Sequence, residues 1–212
     1  RRRLERLLSR SAVETMRHAD PDQRPAGQRT EMTLLYSDIR GFTVFCEGRE
    51  PEQTIAVLNR MIGAQVEAIE RHGGDVDKII GDAILVRFEG DRRESRAVAA
   101  AIDIQAMLAA SDLPLQVGIG LYSGPVVAGL LGTGQRLDYT VIGDSVNVVA
   151  RLCAAAKACQ IVGDVATIER SHAVGFGDMN ELRVKGREQT VSARLWSFPS
   201  PGAGADRSLA GG

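Results

Sequence analysis

The chain has 212 residues, a net charge of −1, 44% apolar residues and 25% charged residues. That balance belongs to a folded domain and not to a disordered or fibrous chain, and the near-zero charge offers no basic field to hold DNA or RNA. Aromatics are only 4%, so a core has to be built from Ala, Val, Ile and Leu. The three cysteines, Cys46, Cys153 and Cys159, are an odd number and suit buried thiols in a reducing compartment better than a disulfide framework. No apolar run reaches the roughly 18 residues of a membrane span.

In chain order, residues 1–18 open "RRRLERLL", with Leu4, Leu7, Leu8 and Met16 near helical spacing. The absence of an initiating Met suggests a piece of a longer protein. With the loop "ADPDQRPAGQRT", residues 1–29 are expected to be a linker helix and loop arriving from an upstream domain. "EMTLLYSDI" predicts a strand. The stretch from Pro51 to Gly74 predicts a helix with Ile55, Leu58, Ile62, Val66 and Ile69 on one face. "DVDKII" and "AILVRF" predict two strands joined by a Gly81-Asp82 turn. An Ala-rich helix follows, and then "LPLQVGIGLYSG" and "PVVAGLLG" are expected as two strands. "DSVNVVARLCAAAKA" predicts a helix with Asp144 or Ser145 as its N-cap. Short strands and one short helix complete the domain to about residue 198, and residues 199–212 have the composition of a disordered tail. The order strand, helix, strand, strand, helix, strand predicts an α+β fold: a ferredoxin-like βαββαβ core, an antiparallel sheet with helices on one face, and a C-terminal α/β extension.

Four stretches carry chemistry. In "YSDIRGFT", Asp38 sits where a strand gives way to a helix, a place for a carboxylate to meet a hard cation. The amides from Ile39 through Gly41, Phe42 and Thr43 could face a phosphate there, or Asp38 could simply cap the helix. In "KIIGDAILVRF", Lys78 and Asp82 bracket a hairpin tip, which is either plain turn chemistry or a second carboxylate placed beside the first. In "LDYTVIGDSVNVVARL", Asn147 and Arg151 are spaced i, i+4 and share one helix face, as a solvated pair or as a grip on a sugar and a phosphate. "LRVKGRE" puts Lys185 before a glycine; alone it is an exposed basic turn.

Together, in this order and at this spacing, the four stretches resemble the class III nucleotidyl cyclase catalytic domain over residues 30–198. The resemblance implies that Asp38 and Asp82, with Ile39 beside them, form the binding set for two Mg²⁺ or Mn²⁺ ions. It implies that Gly41, Phe42 and Thr43 face phosphate, that Lys78 binds the purine, and that Lys185 contacts the terminal phosphates. Asn147 would orient the ribose and Arg151 would stabilise the charge that develops on the α-phosphate. Seven residues before Asn147, where many adenylyl cyclases carry Asp, this chain has Thr140. That variant resembles the class IIIb subgroup, some of whose members respond to bicarbonate; Asp138, two positions earlier and on the same strand face, is a substitute. In this family the metal carboxylates come from one chain and the base, Asn, Arg and Lys groups from its partner, so a head-to-tail homodimer is implied.

The base follows from hydrogen-bond chemistry. Lys78 can only donate and suits adenine N1, while a Thr140 hydroxyl can accept from N6; guanine would set a donor against Lys78, at about 1–3 kcal/mol for an unpaired buried donor. The expected function is therefore adenylyl cyclase, turning ATP into 3′,5′-cyclic AMP and pyrophosphate. The alternatives are guanylyl cyclase, or a non-catalytic cyclase-like module that dimerises or binds nucleotide. A diguanylate cyclase, suggested by "GGDVD", would leave the Asn147–Arg151 helix without a role. The expected setting is a cytoplasmic catalytic domain of a larger or membrane-anchored protein with an upstream regulatory domain.

Overall fold

The computed structural model describes residues 27–133, 136–183 and 190–198. The expected linker helix and the expected C-terminal tail lie outside the described residues, as does Lys185. The first strand, β1, runs Gln28–Ile39, and a five-residue helix, α1, covers Phe42–Cys46. Then come α2 (Pro51–Arg71), β2 (Asp75–Ile80), β3 (Ala83–Phe88), α3 (Arg93–Ala109) and β4 (Val117–Thr133). The extension adds β5 (Arg136–Ile142), α4 (Asp144–Ala155), β6 (Gln160–Asp164), α5 (Val165–Ser171), β7 (Gly177–Arg183) and β8 (Thr190–Ser197). The strands form one sheet in the order β2-β3-β1-β4-β6-β8-β7, with β5 paired to β4. The first four strands are antiparallel and take the order 2-3-1-4, the expected ferredoxin-like core. The parallel pairing is between β4 and β6, where the extension joins.

Alternation along β1 and β3 divides the sheet into two unlike faces. Leu35 and Ile39 of β1, with Ile84, Val86 and Phe88 of β3, pack into one apolar core with α2 and α3. The Ala-rich sequence of α3 lets it lie close to α2 and the sheet: Ala97, Ala100, Ala101, Ile104 and Leu108 are all fully buried. On the other face Met32 and Leu34 pack with Leu85, Val126, Val141 and Val149. The core helices thus share one face as expected, while α4 of the extension packs on the opposite one. Gly120 permits this, because a Cβ there would come within 2.4 Å of the Val149 carbonyl oxygen and the Cys153 nitrogen.

Two expectations are corrected. The stretches read as two strands on either side of Gly124-Pro125 form one continuous strand. The Ser123 N–H donates to Thr167 Oγ1 at 2.8 Å, away from β1. Pro125, two residues on, turns its missing N–H the same way, into the gap between the end of the β6 pairing at Leu121 and the start of the β5 pairing at Val127. No ladder bond is lost, so Pro is tolerated inside the strand. The N-cap of α4 is Gly143, with no side-chain cap, and not Asp144 or Ser145. The Ser145 hydroxyl donates instead to the Pro125 carbonyl at 2.7 Å, tying the start of α4 to β4.

Candidate active site

Asp38 is the penultimate residue of β1 and stands on the face away from α2 and α3, in the row of Leu34 and Tyr36. Its cross-strand partner is Ala83, the residue after Asp82, so the antiparallel register brings the two acids to one end of the sheet. They are close enough to sense each other. Burial pushes the Asp38 carboxyl above its usual range, the Arg40 guanidinium opposes this, and the charge of Asp82 adds to the rise. Tyr36 titrates high as well, first through burial, then through Cys153, Asp38 and Asp82. The chain then turns sharply. Gly41 has φ 75°, a left-handed backbone that glycine adopts without strain, and α1 begins at Phe42. Thr43 is exposed, and Ile39 is 2% exposed, so its side chain is core and only its backbone faces the site.

A carboxylate whose neighbour's charge opposes its ionisation makes a site that a divalent cation would relieve, and all-oxygen ligation suits Mg²⁺ or Mn²⁺. Among the described residues no group of three or more His, Cys, Asp or Glu side chains could hold a metal. The described residues thus offer a pair of carboxylates with the Ile39 backbone beside them, and a phosphate or water could complete the ligand set.

Lys78 sits opposite Leu85 in the β2–β3 pairing, and Leu85 in turn sits opposite Tyr36. Lys78, Tyr36 and Asp38 therefore share one sheet face. A β-bulge between Val76 and Lys78 leaves Asp77 as the extra residue. Asp77 accepts a hydrogen bond at 3.0 Å from the Thr140 hydroxyl, across 63 positions of sequence. Thr140 is 2% exposed, so the hydroxyl is turned inward in the single chain, and contact with a base calls for the side chains over it to move aside. Beside it Arg87 is wholly buried, its Nη2 donating to Asp75 at 2.8 Å, its Nη1 3.7 Å from Asp77 and its guanidinium 4.8 Å from the centre of the Tyr139 ring.

Asn147 and Arg151 project from α4, with Asn147 exposed and Arg151 half-buried, while Val148, Val149 and Leu152 anchor the helix. Asp138 lies in β5, two positions before Thr140. The structure thus gathers Asp38 and Asp82 at one end of the sheet and sets Lys78 on the face that carries Asp38. Three residues escaped the sequence reading. Arg40 donates to Asp38 at 2.5 Å; its signal was a cation two residues after a metal-type Asp. Asp77 and Arg87 form the buried network beneath Thr140; their signals were a carboxylate next to Lys78 and a charge inside the apolar run "AILVRF".

The mixed sheet thus carries two convergent carboxylates and a lysine, with an Asn/Arg helix packed against it. The family model of the adenylate and guanylate cyclase catalytic domain matches residues 25–195, and the chain belongs to that family. An adenylate cyclase from Anabaena cylindrica is 34% identical over 185 residues, covering 79% of this chain and 37% of its own length. The chain therefore spans little more than a third of that relative. The crystal structure of the adenylyl cyclase CyaB from P. aeruginosa superposes with a TM-score of 0.74 at 28% identity, covering 82% of this chain and 97% of that one. The guanylyl cyclase Cya2 superposes with a TM-score of 0.72 at 32% identity, covering 87% and 100%. Adenylyl and guanylyl cyclases thus stand at similar distance. No helix among the described residues is long and apolar enough to cross a membrane.

Proposed function

We propose that the chain is an adenylyl cyclase that converts ATP to 3′,5′-cyclic AMP and pyrophosphate in a centre shared between two copies. The observation that carries this reading is the register that sets Asp38 opposite Ala83 and so beside Asp82. That pair would hold two Mg²⁺ or Mn²⁺ ions, with the backbone of Ile39 alongside. Bound there, the metal pair would supply Lewis-acid activation of the ribose 3′-hydroxyl and neutralise charge on the phosphates.

The chain's own groups do the rest. The turn through Gly41, Phe42 and Thr43 presents backbone amides to the phosphates, and Lys185 is assigned to the terminal ones. Asn147 orients the ribose, and Arg151 stabilises the charge that develops on the α-phosphate as the 3′-oxygen attacks in line. Both stand on a helix pinned to the sheet at Gly120, which limits their drift. Lys78 donates to the purine N1. The proton of Thr140 is committed to Asp77, which leaves the Thr140 oxygen as an acceptor. An acceptor suits the 6-amino group of adenine and opposes the 6-oxo group of guanine. Asp138 is the alternative partner for the amino group.

In this reading Asp38 and Asp82 of one copy face Lys78, Thr140, Asn147, Arg151 and Lys185 of the other, as a head-to-tail homodimer. Exposed apolar side chains at Ile79, Ile80, Leu131 and Ile142 give such a partner a surface to cover. Residues 1–29 would join the domain to an upstream regulator, and a cytoplasmic setting would supply the ATP.

The test is product identification. With ATP or GTP and Mg²⁺ or Mn²⁺, cyclic AMP is expected as the main product. Mainly cyclic GMP would overturn the base assignment, and no cyclic product from either nucleotide would leave a non-catalytic nucleotide-binding module.

A further inference from the structure

Arg40 lies two residues beyond Asp38, and its backbone N–H donates to the Gln116 carbonyl at 2.8 Å. Its guanidinium is held on several sides. Nη1 donates to Asp38 Oδ2 at 2.5 Å, and Nη2 donates to the Cys153 carbonyl at 2.5 Å. Nη2 also lies 3.4 Å from the Cys153 sulfur. The fourth side is Gly118, where a Cβ would come within 2.4 Å of Nε and Nη2. The side chain is thus wedged between β4 and the last turn of α4. A cation there is favoured by the helix C-terminal carbonyls, and the planar fork reaches two acceptors at once. A surface counter-ion has no such seat.

We propose that Arg40 is a positioning residue: it fixes the orientation of the Asp38 carboxylate for a divalent cation and braces it against the helix that carries Asn147 and Arg151. This rests on the cyclase reading. In a shared-site dimer, Asp38 and α4 of one chain serve different centres, so the Arg40 brace joins the two centres through a single side chain. The bond to Arg40 uses Oδ2, and the carboxylate is oriented by a post whose far end is another element of the fold.

The sign of one substitution separates this from simple charge competition. Were Arg40 only a competing cation, removing it would tighten metal binding. If it positions Asp38, removing it weakens metal binding. The experiment follows free Mn²⁺ by electron paramagnetic resonance, with the full chain and a non-cyclisable ATP analogue, beside thermal melting. Arg40→Gln is expected to lower Mn²⁺ affinity about tenfold, the scale set by groups that orient metal ligands. Arg40→Lys, which keeps the charge without the fork, should fall between. Gly118→Ala, which crowds the guanidinium, should weaken Mn²⁺ binding with Arg40 in place. In an Asp38→Asn background, Arg40→Gln should add nothing further.

Unchanged or tighter Mn²⁺ binding in Arg40→Gln, or an equal loss in the Asp38→Asn background, would overturn the proposal. If Arg40→Gln fails to fold, Arg40→Lys carries the same comparison. A wild-type chain that binds Mn²⁺ through Arg40-positioned Asp38 but forms no cyclic product would sink the enzymatic reading and leave this one intact.

Discussion

The two faces of the central sheet are built on opposite principles. The face under α2 and α3 is mainly apolar: Leu35, Ile39, Ile84, Val86 and Phe88 meet Ala100, Ile104 and Leu108 with no exposure above 2%, and the buried Ser37 hydroxyl among them donates to Gln65. The other face carries Asp38, Lys78 and Arg87 among a smaller set of apolar side chains. Within one strand, alternate residues serve the two purposes. Leu35 is core, while Asp38 and the Arg40 that follows are site. The helix-covered face supplies stability, and the opposite face can hold costly carboxylates and guanidinium groups because the first face supports them.

Substitutions on the two faces should therefore separate activity from stability. The largest effect is expected at the carboxylates and at Arg151. Asp38→Ala, Asp82→Ala and Arg151→Ala should each lower cyclic nucleotide formation by about 10²–10³ or more, the scale of losing one transition-state contact. Melting temperatures should stay near wild type, as read by circular dichroism; a collapse of melting in Asp82→Ala would place that residue in the fold and not in the site. On the other face Ile104→Ala should cost about 2–5 kcal/mol of stability in denaturant unfolding, with specific activity of the folded fraction retained.

Arg87 is the hybrid case. It is fully buried on the site face, and Arg87→Met would remove the guanidinium from beside Asp75 and Asp77, at about 3–5 kcal/mol. Unchanged stability would mean that the network beneath Thr140 holds little. Lys78→Glu should lower kcat/KM for ATP by about 10-fold or more at unchanged melting, since adenine N1 would lose its donor and face a second acceptor, and one unpaired buried polar group costs about 1–3 kcal/mol. The smallest effect concerns the thiols. Burial pushes the Cys153 thiol up to about 12, against the opposing pull of Arg40. The folded thiol thus stays protonated, and alkylation at pH 8 should modify half-exposed Cys46 and spare Cys153 and Cys159. Because the folded value is raised, the stability from keeping Cys153 neutral is whole below an ordinary thiol's value near 9 and is lost as pH rises toward 12. Cys153→Ala should flatten that part of the pH–stability curve.

Much of this was legible from the chain because its signals are local. Pro51 and Gly73-Gly74 bound α2, alternation marks β1 and β3, and the Gly81-Asp82 tip closes a hairpin of adjacent strands. The continuity of β4 was hidden because Gly124-Pro125 carries a turn's chemistry, and only the gap between β6 and β5 makes the Pro harmless. The Arg40–Cys153 and Thr140–Asp77 bonds join residues 113 and 63 positions apart. Neither partner alone signals the other, so both needed the folded chain. Lys185 and the side chain of Asp138 fall outside the described residues.

In the proposed dimer, each centre draws its metal carboxylates from one copy and its Asn/Arg helix from another. Mixing Asp38→Ala with Arg151→Ala chains tests it directly, with heterodimer formation checked by differential tagging. Each mutant alone should be silent, and the mixture should regain up to about a quarter of wild-type activity, because half the dimers hold one intact centre. A silent mixture that contains heterodimers would contradict the claim.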